Sequence, residues 1–280
     1  MSQALPQVPA FYFSTESLQP LIEKFKPLYN SADPFPHVVI DNFLPEWVID
    51  KVLEEYPLAG AIPWSQFNAP TENKKWSASD EKNFGPFTRH LMTQFNSATF
   101  LKFLKAVTGI EHLIGDPYFL GGGMHQTHPG GFLKVHTDFN WHSELKLERR
   151  LNLLVYLNKD WKEEYGGHLE FWDKAMTECA KKVLPVANRC VIFSTTRFSY
   201  HGHPQALTCP QDRTRKSLAF YYYTVDRPQE ETYGAHGTLF VKKPNERWSY
   251  TKNFLARCVP PIFYDIVIKL EAKIKGKKRV

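Results

Sequence analysis

Apolar residues repeat with a helical period in the first part of the chain. In SATFLKFLKAVTG (97–109) they recur every three or four residues, which predicts an amphipathic helix that ends at Gly109. Pro45 and the EWVIDKVLEEYP that follows it predict a helix that begins at the proline. HVVIDNFL (37–44) predicts a strand, whereas residues 1–35 contain five prolines and are expected to be irregular.

The pattern becomes that of β-structure between about residues 117 and 225. Short runs rich in β-branched and aromatic residues are separated there by turn residues: YFLGGGMHQ, GFLKVHTDF, RLNLLVYLN, GGHLEFW, NRCVIFST and SLAFYYYTV. Such runs predict an antiparallel sandwich or barrel on which the helices pack. Residues 60–90 and 226–250 are expected to be loops, followed by C-terminal helices. The predicted fold class is therefore α+β, mainly β.

The composition indicates a soluble protein with one large domain. Apolar residues make up 42% of the 280 residues, which is enough for a substantial core. The four cysteines are scattered without a C-x-x-C pair, so free thiols in a reducing compartment are expected. We find neither a signal-peptide pattern nor the roughly 18 consecutive apolar residues of a transmembrane helix. A cytoplasmic location is therefore expected.

The net charge of +6 is concentrated at the C-terminus. The last twelve residues, KLEAKIKGKKRV, contain six basic residues and one acidic residue, so the rest of the chain is nearly neutral. A near-neutral body lacks the broad basic surface of a nucleic-acid-binding protein, and no nucleic-acid partner is expected. Ile262, Ile266, Leu270 and Ile274 form an apolar stripe just before this tail. Such a helix could contact an anionic membrane surface, although packing on its own domain is more common.

A histidine and an aspartate stand two residues apart in one predicted strand. His136 and Asp138 therefore point to the same face of the sheet, where an imidazole and a carboxylate can hold a metal ion. Two histidines and one carboxylate form the ligand set of non-haem Fe(II) oxygenases, although zinc hydrolases also use it. The candidates for a third ligand are His125, His128, His142, His168, His201 and His203.

A second polar pair follows the last of these histidines. Arg215 and Ser217 are also two residues apart, in RKSLAFYYYT, and Arg215 comes fourteen residues after His201. A guanidinium and a hydroxyl on one strand face form a good carboxylate site, because arginine can donate two parallel hydrogen bonds. An arginine at the start of a strand usually faces water, but the neighbouring metal motif favours the binding role.

Together these motifs resemble those of the Fe(II)/2-oxoglutarate-dependent dioxygenases, and within them the prolyl-hydroxylase-like branch. HPGGFLKVHTD is similar to the H-x-D strand of that branch, and SYHGHP…RKSLAFYYY to its final His…Arg strand pair. LLVYLNKDWKEEYGGHLEFW resembles its Y-L-N…W…G-G-x-L segment. The resemblance covers roughly residues 117–225 and PFPHVVIDNFLP. It implies a dioxygenase domain at 36–225 with a double-stranded β-helix core, followed by a C-terminal loop and helical extension at 226–280.

The resemblance also implies roles for individual residues. The Fe(II) ligands would be His136, Asp138 and His201. His203 stays open as an alternative third ligand, because it lies two residues further along the same face of an extended run.

For the cosubstrate, Arg215 would bind the distal carboxylate of 2-oxoglutarate with the help of Ser217. Tyr156, in the Y-L-N position, would donate its hydroxyl to the same carboxylate, or would be an ordinary core tyrosine. His128 stands where several members have a tyrosine before Pro-Gly, and its contact with the cosubstrate is open. The reaction would use O2, with ascorbate as a candidate reductant.

Two other functional classes share this ligand set. A cupin-like metal-binding barrel, or a degenerate oxygenase kept as a binding module, would not need the carboxylate site of Arg215 and Ser217. A zinc hydrolase would need a glutamate base, and Glu144, Glu148 and Glu170 have no compelling placement for that role.

Substrate selectivity is expected from the loops at 60–90 and 226–250. The first contains Trp64, Phe67, Trp76 and Phe84, whose rings suit a prolyl ring or another small molecule. The expected reaction is hydroxylation of a prolyl residue in a peptide or protein, or of a related small molecule, with succinate and CO2 as coproducts.

Overall fold

The computed structural model describes residues 10–232 and 234–242. Its α-helices are α1 (Thr15–Tyr29), α2 (Glu46–Glu54), α3 (Pro86–Gln94) and α4 (Ala98–Thr108). The helices predicted after Pro45 and before Gly109 are confirmed as α2 and α4. Ser97 caps the first turn of α4, and Gly109 ends the helix in the left-handed conformation, with φ of 75°.

The strands of the described residues form one hydrogen-bonded sheet. They are β1 (His37–Ile40), β2 (Ser65–Ala69), β3 (Glu72–Ala78), β4 (Ile114–Gly115), β5 (Gly123–Thr137), β6 (Trp141–His142), β7 (Leu147–Tyr156), β8 (Leu169–Trp172), β9 (Cys179–Val183), β10 (Cys190–Ser194), β11 (His201–His203), β12 (Arg215–Thr224) and β13 (Leu239–Phe240). The main path is β1-β10-β7-β12-β5-β11-β8-β9, and each neighbouring pair along it is antiparallel. The predicted mainly antiparallel β architecture is therefore confirmed.

Strand β5 belongs to two parts of the sheet. Its first residues pair with β12 on one side and β3 on the other, whereas Leu133 and His136 pair with β11. The change of partners follows Pro129–Gly131. Gly130 has a φ of 77°, and a Cβ on Gly131 would lie 2.8 Å from a backbone oxygen. This corner therefore needs glycine. Because β5 changes partner here, residues of both β12 and β11 line one cavity.

Side-chain alternation along β12 separates the core from the cavity. Leu218, Phe220 and Tyr222 pack with the helices, and the ring of Phe220 stacks on Phe95 at 4.1 Å between centroids. The odd-numbered residues of β12 face the other way, so Arg215 and Ser217 project into the cavity. Packing of the helices on one face of the strand thus determines that these two polar residues point inward.

The prediction that residues 1–35 are irregular is wrong for Thr15–Tyr29, which form helix α1. Ser14 and Ser17 form a capping box that satisfies the first turn of this helix. Pro20 and Pro27 lie inside it. Three apolar side chains are buried along one side of the helix: Leu18, Phe25 and Tyr29. Tertiary packing of this apolar side therefore outweighs the helix-breaking tendency of the two prolines.

The expected loop at residues 60–90 is also wrong, because β2 and β3 form a hairpin that pairs with β5. The hairpin lacks an apolar–polar alternation for two reasons. Strand β2 is largely exposed, and Lys75 and Ser77 on β3 face the cavity instead of a core. The loop expected at 226–250 contains β13, which pairs with β5.

No helix in the described ranges is long and apolar enough to cross a membrane. The C-terminal helices and basic tail predicted beyond residue 242 lie outside the described residues.

Candidate active site

His136, Asp138 and His201 come together at the junction of β5 and β11. One ligand atom from each lies within 4.8 Å of the others. Asp138 Oδ1 is 3.6 Å from His136 Nε2, and Asp138 Oδ2 is 3.3 Å from His201 Nε2. The three side chains are mostly withdrawn from solvent, so a cation among them would replace much of its hydration shell by these ligands.

Strand register selects His201 from the two candidate histidines. His201 lies directly opposite His136, whereas His203 lies opposite Leu133, with a register shift between the two. Directly opposed residues have neighbouring side chains on one face. In the described residues, His201 is the histidine that joins His136 and Asp138 in a group with metal-ligand spacing.

Backbone carbonyls orient both imidazoles. His136 Nδ1 donates a hydrogen bond of 2.9 Å to the carbonyl of Lys134, and His201 Nδ1 donates one of 2.8 Å to that of Ser199. A carbonyl can only accept, so the proton is on Nδ1 in each ring and Nε2 carries the lone pair. Both lone pairs are therefore available where a metal ligand is needed. The donor set and its orientation fit a divalent metal ion.

The electrostatics of the group favour its metal-binding protonation states. Burial would raise the pKa of Asp138, but the charge of Arg149 and the two histidines outweigh burial and hold this pKa well below its usual value. Burial lowers the pKa of His136, and His201 lowers it further. The structure thus favours an ionised carboxylate beside a neutral imidazole.

A cavity of about 310 Å³ extends from these three residues to Arg215. Arg215 Nε donates to the carbonyl of Gly167 at 2.7 Å, and its Nη2 donates to the hydroxyl of Tyr156 at 3.1 Å. Gly167 has a φ of 74°, and a Cβ there would approach Arg215 Cδ to 3.0 Å. Two partners therefore fix the guanidinium in the lining of the cavity that His136 and His201 also line.

Residues 122–223 match the sequence model of the 2OG-Fe(II) oxygenase superfamily. These residues form a 2OG-Fe(II) oxygenase domain. Members of this superfamily use Fe(II) and 2-oxoglutarate, so the resemblance seen in the sequence motifs is confirmed at this level. No curated protein matches the sequence of the chain.

Solved structures show the same fold at low sequence identity. The chain is similar to a prolyl-4-hydroxylase from Pseudomonas putida, with a TM-score of 0.51, 16% identity and coverage of 74% of this chain and 98% of that one. It is also similar to a prolyl hydroxylase from Trichoplax adhaerens in complex with a hypoxia inducible factor peptide fragment. There the TM-score is 0.51, with 17% identity and coverage of 75% of this chain and 94% of that one. The predicted double-stranded β-helix is confirmed.

The other three predicted cosubstrate residues lie in three different environments. Ser217 lines the cavity beside Arg215, whereas Tyr156 lies behind the arginine, fully buried. His128 is on the opposite face of β5, where its ring packs on Trp76 at 4.1 Å between centroids. His128 therefore does not line the cavity, because strand alternation turns this side chain away from it.

His125 stands in the cavity instead of His128. It lies opposite Ser217 on β12 and Ser77 on β3, and all three line the cavity. His125 Nε2 donates to the carbonyl of Gly121 at 3.0 Å. The sequence reasoning considered His125 only as a metal ligand. His125 is two residues from Thr127, which also faces the cavity. In a strand this spacing places both side chains on one face.

We expect the metal-free protein to lose stability as the pH falls from about 6.5 to 3. Burial and then the charge of Lys75 lower the pKa of His125 to about 3. An unfolded histidine titrates near 6.5, so in this window the unfolded chain binds a proton that the folded chain does not. His125 should therefore lower the free energy of unfolding by up to about 1.4 kcal/mol for each pH unit.

Chemical denaturation of the wild type and His125→Gln at several pH values between 7 and 4 measures this effect. The variant should show the shallower pH dependence, whereas His112→Asn, at an exposed histidine, should keep the wild-type slope. Equal slopes for wild type and His125→Gln would contradict the assignment.

Arg149 and Asn152 are further residues at the centre that the sequence reasoning missed. Asn152 Nδ2 donates to Asp138 Oδ2 at 2.6 Å, and Arg149 Nη2 is 3.1 Å from the same oxygen. An arginine inside an apolar-rich strand has no recognisable motif, and ordinary alternation along β7 would place Arg149 and Asn152 on opposite faces. Local sequence therefore gave no signal for this pair.

Proposed function

We propose that this protein is an Fe(II)- and 2-oxoglutarate-dependent dioxygenase that hydroxylates a C–H bond of a prolyl residue or a related small molecule. The observation that carries the proposal is the position of two sites in one cavity. The oriented group of His136, Asp138 and His201 and the fixed guanidinium of Arg215 line the same cavity.

Each set of residues has a separate task in this proposal. His136, Asp138 and His201 hold Fe(II), and Arg215 with Ser217 binds the distal carboxylate of 2-oxoglutarate. Tyr156 contributes by accepting a hydrogen bond from Arg215, which helps to fix the direction of the guanidinium. With both bound, the iron centre supplies O2 activation and C–H hydroxylation, with succinate and CO2 as coproducts.

Other cavity residues control solvent and orientation. Leu169, Phe193 and Leu154 also line the cavity and add apolar surface to it. An apolar wall strengthens the attraction between Arg215 and a bound carboxylate, because water screens the charges less. These side chains therefore favour cosubstrate binding over solvent at the reacting centre.

The side chains of the cavity support the proposed substrate class. Phe67 on β2 and Phe240 on β13 line the cavity, and aromatic rings of this kind suit a prolyl ring. Glu72 and Lys75 on β3 line it as well, in an ion pair of 3.2 Å. Apolar rings with one pair of opposite charges suit a neutral or zwitterionic substrate, such as a prolyl residue or a free imino acid.

The zinc-hydrolase alternative lacks a suitable base. Glu144, Glu148 and Glu170 are not among the cavity-lining residues of the described chain. Glu148 is in an ion pair with Arg227, and Glu170 accepts a hydrogen bond from Trp172. Besides Asp138, the acidic residue that lines the described cavity is Glu72, and it forms an ion pair with Lys75. The described cavity therefore provides the metal ligands and the arginine that an oxygenase needs, but no free glutamate base for a zinc hydrolase.

The proposal is tested by visible absorption under anaerobic conditions, adding Fe(II) to the metal-free protein and then 2-oxoglutarate. A weak charge-transfer band that forms only with both additions is expected, because 2-oxoglutarate then chelates the metal. Fe(II) binding without such a band would contradict the proposal and favour a metal-binding barrel without oxygenase activity.

Succinate formation then ranks substrates. L-Proline, N-acetyl-L-prolinamide and a proline-containing peptide would be compared with a reaction that lacks substrate, with ascorbate present as reductant. Stimulation by one of these prolyl compounds is expected. Stimulation by none of them would contradict the proposed substrate class without affecting the metal and cosubstrate assignments.

A further inference from the structure

A β-bulge turns Arg149 toward the metal centre. On the β7–β12 ladder, Leu151 pairs with Tyr222 and Arg149 with Tyr223, so one extra residue, Arg150, is inserted on β7. A bulge shifts the alternation of side chains by one position. Arg149 therefore lies on the same strand face as Asn152, which lines the cavity. Bulges of this kind often direct a side chain to a functional site.

Arg149 is buried, and its side-chain hydrogen bonds go to Asn152. Its side chain is 1% exposed, and its guanidinium lies 3.4 Å from the ring centre of Tyr221 and 4.4 Å from that of Phe139. Nε and Nη2 both donate to Asn152 Oδ1, at 2.9 and 2.6 Å. The arginine thus fixes the asparagine amide in the orientation that directs Nδ2 at Asp138.

Both residues bind the same oxygen of the Asp138 carboxylate. Oδ2 lies 2.6 Å from Asn152 Nδ2 and 3.1 Å from Arg149 Nη2. The hydrogen bond from Asn152 and the positive charge of Arg149 both fall on Oδ2, so Oδ1 is the oxygen with more lone-pair density to share. Each carboxylate oxygen lies near one imidazole, because Oδ1 is 3.6 Å from His136 Nε2 and Oδ2 is 3.3 Å from His201 Nε2. The distances to the histidines therefore do not distinguish the two oxygens, and only Asn152 and Arg149 do.

We propose that Arg149 and Asn152 are positioning residues that hold Asp138 as a one-oxygen metal ligand. The inference rests on the proposed metal site. Two imidazoles and one carboxylate oxygen would supply three ligand atoms to a divalent metal ion. A carboxylate that bound through both oxygens would supply a fourth. By holding Asp138 to one oxygen, the pair would leave one more position on the metal for the cosubstrate and O2.

A purely stabilising role explains the arrangement less well. A buried ion pair contributes little net stability, because desolvation of both charges offsets their attraction. Here the arginine is sealed from solvent, whereas its partner carboxylate is 12% exposed and lines the cavity. The network thus leaves one face of Asp138 available to a ligand.

The test compares Arg149→Met and Asn152→Ala with Arg150→Met. Arg150 is the adjacent arginine, and it contacts Thr224 and Glu231 instead of the centre. Asn152→Ala leaves the net charge unchanged. Mn(II) affinity, read from the electron paramagnetic resonance signal of free Mn(II), should fall about 10- to 100-fold in the first two variants. In Arg150→Met it should stay within about twofold of the wild-type value.

A second readout reports the ligation of Asp138. At saturating Mn(II), 2-oxoglutarate should bind more weakly to Arg149→Met and Asn152→Ala than to the wild type, although Arg215 is intact. Lower thermal stability with wild-type affinities for Mn(II) and 2-oxoglutarate would overturn the proposal, because a structural role alone predicts that result.

The design separates this proposal from the proposed function. If the wild type binds no Mn(II), the metal site itself fails, and the positioning role fails with it. If Arg149→Met does not fold, Arg149→Lys keeps the positive charge without the planar fork. It should also weaken Mn(II) binding, whereas unchanged binding in both Arg149→Lys and Asn152→Ala would overturn the proposal.

Discussion

His136→Ala, Asp138→Ala and His201→Ala should each reduce succinate formation from 2-oxoglutarate by on the order of a thousandfold or more. Each change removes one of three ligand atoms that lie within 4.8 Å of one another. Loss of a residue that only orients a ligand costs about 10- to 100-fold, and loss of the ligand itself should cost more. Succinate release at saturating 2-oxoglutarate, together with Fe(II) binding, measures the effect.

His203→Ala is the matched control for the third ligand. His203 is buried and lines the same cavity, two residues from His201, but its strand partner is Leu133 instead of His136. We expect this variant to bind Fe(II) with wild-type affinity. If His203→Ala lost Fe(II) binding while His201→Ala kept it, the third-ligand assignment would be reversed.

Arg215→Met should weaken binding of 2-oxoglutarate to the Mn(II)-loaded protein by roughly a hundredfold. The loss of one partner of a buried, hydrogen-bonded charge pair costs about 3 kcal/mol, and each 1.4 kcal/mol is a factor of ten. Mn(II) affinity should change little, because Arg215 is not part of the metal-ligand group. Calorimetric titration of 2-oxoglutarate at saturating Mn(II) measures the change.

Two variants control for charge and for position. Arg215→Lys keeps the charge but cannot reproduce the fork that reaches Gly167 and Tyr156, and should bind with intermediate affinity. Arg213→Met removes a nearby arginine that contacts the backbone of Lys159 instead, and should bind 2-oxoglutarate normally. Wild-type affinity in Arg215→Met would exclude it as the carboxylate-binding residue.

Local sequence was sufficient where a feature depends on neighbours along one element. The α4 helix follows from its apolar period, its Ser97 cap and its terminal glycine. The common face of Arg215 and Ser217 follows from the two-residue repeat of a strand. The same repeat predicted that His136 and Asp138 lie together, and they do, although Asp138 is one residue beyond the end of β5. The motifs around these pairs also indicated the superfamily and the double-stranded β-helix.

Local sequence failed where packing between distant segments overrode it. Helix α1 contains two prolines, but its buried apolar side compensates for them. The β2–β3 hairpin has no apolar alternation, because one strand is exposed and the other directs Lys75 and Ser77 into the cavity. In both cases the partner that stabilises the element lies elsewhere in the chain.

By itself, then, the sequence determined the fold class, the superfamily that residues 122–223 match, and two polar pairs spaced by two residues. Only the tertiary structure decided which distant residues complete the site. The register of β11 on β5 places His201, and not His203, opposite His136. The bulge in β7 turns Arg149 inward to meet Asp138. Register and bulges depend on pairing between strands far apart in sequence, so alternation within one strand cannot reveal them.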